Sequence, residues 1–139
     1  MNAIDPTWRL VQESPNTRFY EIESEILAIV PKPSAMDNRE SALVNVNILN
    51  AHWRQKGHPG CVVALFDSGA GQDSGARAVY RDNMSPKDFP AIAFVGGTLM
   101  GRAMGNLFFR LSRVAIPMQL FGEVAPALIW LRSQMGKSK

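Results

Sequence analysis

Apolar and polar positions follow two rhythms along this chain, and their order reads as an α/β domain. Thr7 to Val11 and Phe19 to Ile22 have the look of short strands, and Ile26 to Val30 is a third apolar run. Glu13-Ser14-Pro15-Asn16 ends the first, and Pro31-Lys32-Pro33 ends the third, because proline cannot donate to a ladder. From Met36 to Gln55 the period changes: Ala42, Val46, Leu49 and Trp53 fall on one helical stripe, closed by Gly57, Pro59 and Gly60. Cys61 to Phe66 shows no alternation, as expected of a central strand covered on both faces. A polar loop follows, then a short helix from Ala76 to Met84, a strand from Asp88 to Val95 and a helix from Thr98 to about Val114. A strand from Met118 to Phe121 and a helix from Val124 to Met135 complete the pattern. These elements predict a single mixed, mostly parallel sheet of five or six strands with an antiparallel opening, flanked by about four helices. Phe66 and Phe94 each close an apolar run, so both are expected to be buried in adjacent or near-adjacent strands.

Composition narrows the picture. With 139 residues and 46% apolar content, one domain over 1–139 is expected, with 1–6 and 136–139 frayed. No run of about 18 uncharged apolar residues occurs, and the first thirty positions lack the pattern of a secretory signal. A soluble, cytoplasmic protein without an integral membrane segment is therefore expected. The 15 basic and 12 acidic residues are scattered with no Lys/Arg block, which argues against nucleic acid as a partner. Cys61, the single cysteine, reads as a small buried side chain. His52 and His58 read as solvated or capping residues and make no standard zinc spacing, so neither metal nor cofactor is expected.

In an open α/β sheet, sites gather at the carboxyl ends of strands, which directs attention to the residues after Phe66. Asp67, Ser68, Asp73 and Ser74 crowd there among glycines. Asp73 or Ser74 reads as the cap of the following helix. Asp67 and Asp73 could act as an acid–base pair, but no His, Cys or Lys lies nearby in sequence to complete a nucleophile, so no catalytic residue is assigned.

Gly97, Gly101 and Gly105 recur every four residues and line one strip of the helix after the Ala91 to Val95 run. Each lowers helix stability by about 1 kcal/mol relative to Ala, which points to close approach of a neighbouring element, a ligand or a dimer partner. Arg102 lies on the polar face of that helix, where Phe109 falls among arginines. The Gly96-Gly97-x-x-x-Gly101 spacing is not the dinucleotide fingerprint. In the first helix Val44, Ile48 and Ala51 form a second apolar side, which suggests a pocket beneath it or a homodimer contact.

The closing Leu120-Phe121 strand and the helix Ala127-Leu128-Ile129-Trp130-Leu131 resemble the ending of the SpoIIAA-like proteins related to STAS domains. The early strands, the Cys61 to Asp67 strand ending in acid, the small-residue loop and the Ala91 to Val95 strand entering a long helix extend that resemblance over roughly residues 18 to 133. Asp73-Ser74-Gly75-Ala76 is similar to the Asp-Ser-Ser-Gly motif of STAS domains whose first Ser is phosphorylated by a partner kinase, although the second Ser is missing and the connection from Asp67 is shorter. The resemblance implies Ser74 as a phospho-acceptor, with Arg77 one turn on. It also implies a non-catalytic regulatory protein working through a protein partner, or, by kinship with the CRAL-TRIO class, one holding a small apolar or lipid-like ligand. The alternative is a small pocket enzyme or biosynthetic accessory protein acting on an apolar substrate.

Overall fold

Residues 4–66, 71–96 and 116–137 are described in the computed structural model. Six strands form one sheet: β1 (Arg9–Glu13), β2 (Thr17–Glu23), β3 (Ile26–Pro31), β5 (Cys61–Leu65), β7 (Ile92–Val95) and β8 (Met118–Phe121), neighbours in that order. The first three pair antiparallel, with Phe19 opposite Ile29, and the remaining three add parallel, with Ala64 opposite Phe94 and Phe94 opposite Leu120. The antiparallel opening and parallel continuation are as expected. A separate parallel pair, β4 (Met36–Asp37) and β6 (Gly71–Gln72), was not legible in the chain. Among the described residues there are three helices, α1 (Arg39–Lys56), α2 (Ser74–Asn83) and α3 (Val124–Lys137). The helix expected over Thr98 to Val114 lies outside the described residues.

Several boundaries differ from the expectation for local chemical reasons. α1 starts at Arg39 rather than Met36, because Met36 and Asp37 pair with Gly71 and Gln72 and Asn38 then caps the helix. The Asn38 side chain accepts from the Ser41 N–H at 3.0 Å while Ser41 Oγ accepts from the Asn38 N–H at 2.9 Å, a reciprocal capping box. α1 stops at Gly57, whose φ of 81° is left-handed and costs glycine little. β7 starts at Ile92 rather than Asp88, since the Asp88 and Phe89 N–H groups turn back to the Ser85 carbonyl at 3.0 and 2.9 Å. β1 starts at Arg9 rather than Thr7, since Asp5 holds a turn through the Thr7 and Trp8 N–H groups.

The two faces of the sheet are covered differently. On one, alternate residues Ile26, Ala28, Cys61, Val63, Leu65, Ala93 and Val95 pack with Ala127 and Leu131 of α3. Small side chains let α3 lie close, and Trp130 of the same helix stacks beside Phe121 with ring centroids 5.7 Å apart. The other face carries Leu27, Val62 and Ile92 beneath Leu49 and Trp53 of α1. α1 and α2 share this face and meet through Ala42, Val46, Ala76 and Val79, a seam narrow enough for close helix approach. The crossovers from β3 through α1 to β5 and from β5 through α2 to β7 step in the same direction along the sheet, and two crossovers of one hand then leave both helices on one side. Trp53 lies directly over Gly60, where a Cβ would collide with the indole ring.

Candidate functional site

α1 and α2 stand over the sheet and leave a cavity of about 150 Å³, which runs along its face from Ile92 and Met118 at the starts of β7 and β8 to Phe66 just past the end of β5. Its apolar wall comes from Phe19, Ile29, Leu49, Val62, Phe66 and Phe94, and its polar end from Asn16, Thr17, Asp37, Asn45, Arg77 and Tyr80. Phe66 and Phe94 do sit in or next to adjacent strands, but the expectation that both are buried is corrected. Each is half-buried, and they meet edge to face with ring centroids 6.1 Å apart on the cavity wall. Phe66 can lie there because the neighbouring Gly96 has no side chain: a Cβ would come within 2.7 Å of the ring.

Apart from Arg77, the polar end is one connected network. Asp37, only 8% exposed, accepts from the Tyr80 hydroxyl, the Ser41 hydroxyl and, at 3.2 Å, Asn16 Nδ2. Because Asn16 donates its amide nitrogen to that carboxylate, its Oδ1 faces the other way and accepts from Asn45 Nδ2 at 2.9 Å. Asn45 Nδ2 also faces Thr17 Oγ1 and the Tyr80 hydroxyl, each at 3.4 Å. This leaves Asn45 Oδ1 buried with no hydrogen-bond donor, in a side chain 3% exposed. The order of dependence starts at the Asp37 charge and ends at an unpaired acceptor. Burial raises the Tyr80 pKa, reinforced by the Asp37 charge and the hydrogen bond to it, so the phenol stays protonated.

Of the residues singled out in the sequence, Asp73 is the cap of α2, accepting from the Ala76 N–H at 2.8 Å. Ser74 is exposed in the first turn of α2. Arg77 lines the cavity and donates Nη1 to the Gln72 carbonyl at 3.0 Å. Val44 is 44% exposed, whereas Ile48 packs against the core, so the second apolar side of α1 is only partly shared. Ile48, Ala51 and His52 instead line a second hollow of about 190 Å³ with Val11, Phe19 and Leu27. The reading of His52 as solvated or capping is corrected, since it is half-buried, edge-on to Trp53 at 4.5 Å, with Nε2 buried and unpartnered. Asp67, Ser68, Gly97, Gly101, Arg102, Gly105 and Phe109 lie outside the described residues.

Asp37, Asn45 and Tyr80 escaped the sequence reading. Asn45 was the visible signal: it interrupts the apolar stripe between Ala42 and Leu49 at helical spacing, where a polar side chain has to find partners inside the fold.

Among the described residues no three His, Cys, Asp or Glu side chains are grouped to hold a metal, and no helix is long and apolar enough to cross a membrane. Compared with family models, curated proteins and solved structures, the chain finds no match.

Proposed function

We propose that this chain is a non-catalytic regulatory or ligand-binding domain of the SpoIIAA-like, STAS-related kind, which holds a small, mainly apolar molecule between α1, α2 and the sheet. The observation that carries the reading is the largely apolar cavity of about 150 Å³ between α1, α2 and the sheet. A cavity of this scale admits a molecule of benzene-ring size, which favours a single ring or a short branched chain over a long acyl chain. The regulatory half is supported by Ser74, exposed in the first turn of α2, where the positive end of the helix dipole favours a phosphate.

The enzyme alternative is favoured by the convergence of Asp37 and Tyr80 on the cavity. Its weakness is chemical. Tyr80 keeps its proton and directs it at Asp37, and Cys61 belongs to the cluster packed on α3, with its thiol pushed up to about 12 by burial.

Toluene titrated into the full chain, read by thermal unfolding and calorimetry, tests the cavity. Saturable binding that raises the midpoint is expected, and Ala64→Leu, which fills the wall from β5, should remove it while leaving the chain folded. Failure of toluene to bind the parent chain would remove this reading. Phosphopeptide mapping of protein taken from its own cells tests Ser74 separately.

A further inference from the structure

Two opposite charges line this one apolar cavity, and neither forms an ion pair among the described residues. Asp37 is its anion, more than nine-tenths buried and held by three neutral donors. Arg77 is its cation, with one nitrogen committed to the Gln72 carbonyl. The geometry points to a small zwitterion as the ligand: an α-amino acid with an aliphatic or single-ring side chain. Its ammonium group faces Asp37, its carboxylate faces Arg77, and its side chain lies against Phe66 and Phe94. This deepens the binding reading above and rests on it.

Two features converge on that class. A buried charge without a counter-charge is costly, so a ligand that enters beside Asp37 gains most if it is cationic there. Arg77 reverses the preference elsewhere on the same cavity wall, because a monocation that satisfies Asp37 still meets a guanidinium, and a monoanion still meets a carboxylate. Only a ligand carrying both signs complements both.

Both charges line one cavity of about 150 Å³, and Gln72, which holds Arg77, is the ladder partner of Asp37 in the β4–β6 pair. A small molecule that carries an ammonium and a carboxylate on one skeleton can therefore meet both. The free edge of an arginine fork also matches a carboxylate geometrically.

The test uses the full chain and four probes: L-leucine, its decarboxylated analogue isoamylamine, its deaminated analogue isocaproate, and toluene. Calorimetry should give L-leucine an affinity at least about tenfold above either singly charged analogue. Arg77→Gln should abolish the advantage over isoamylamine, and Asp37→Asn the advantage over isocaproate, while both variants keep toluene. Should Asp37→Asn fail to fold, the Arg77→Gln comparison decides by itself. L-Leucine binding no tighter than its analogues, with toluene still bound, overturns the zwitterion inference and leaves the cavity reading standing. No binding of any of the four probes removes both.

Discussion

The hydroxyl of Tyr80 in α2 donates to Oδ2 of Asp37 across 43 positions of sequence. With the Ser41 hydroxyl and the Asn16 amide on the other oxygen, that contact joins α2, the start of α1, the β1–β2 turn and the small β4–β6 pair. A hydrogen bond to a charged group contributes more than one between neutral groups, and one inside a network contributes through its neighbours too.

Tyr80→Phe keeps the ring and removes the donor. It should lower stability by about 1.5–3 kcal/mol, because Asp37 stays buried with one donor fewer. Urea unfolding of parent and variant measures this, and a loss below about 0.5 kcal/mol would mean that the network does not hold α2 in place.

Burial holds the His52 pKa below its ordinary 6.5, against an opposing pull from Glu21. The unfolded chain therefore takes up the proton more readily than the folded one. The contribution is fully present above about pH 6.5 and is lost as pH falls through that value towards the lower folded pKa. His52→Gln should flatten the fall in unfolding free energy between about pH 7.5 and about pH 5.5. Equal slopes in the two proteins would place the titration elsewhere.

Cys61 is fully buried between the sheet and α3, and burial pushes its thiol up to about 12. The thiolate is the reactive form, so Ellman's reagent should leave the folded protein unlabelled at about pH 8 and label it fully in urea. Prompt labelling of the native chain would contradict the packing of this face.

Gly60→Ala and Gly96→Ala separate packing from cavity shape. At position 60 the new methyl meets the buried Trp53 ring, and a loss of about 1–3 kcal/mol is expected. At position 96 the methyl meets Phe66, which is half-buried and can turn into the cavity. Gly96→Ala should therefore lose less stability than Gly60→Ala but weaken toluene binding. The reverse order would show that Phe66 does not border the binding space.

The strands of the sheet were legible because their signal is local. β5, buried at all five positions, shows as an uninterrupted apolar run, and Met118–Phe121 is bounded as read. The caps at Asn38 and Asp73 concern residues within one turn of each other, yet only Asp73 stood out, because Asn38 lies inside a segment whose periodicity already looked helical. The cavity's polar end was not legible. Its contacts span 21, 29 and 43 positions and follow no period, and each partner is an ordinary residue in its own segment. Phe66 and Phe94 misled for a related reason. Apolar runs identify strands covered on both faces, but not a place where the cover stands off and leaves a space.

The strand order β1-β2-β3-β5-β7-β8 is the order of synthesis, with no later strand inserted between two earlier ones. The sheet can therefore grow at a single advancing edge, from two antiparallel pairings between near neighbours to three parallel ones that each need a longer loop to close. Until its successor docks, each newest strand is an unpaired edge, and for β5 and β7 that edge is almost wholly apolar. The intervals of risk on the ribosome or in refolding thus fall after β5 and after β7 have formed and before the next strand arrives, when the open edge of the sheet can pair with another copy of the chain.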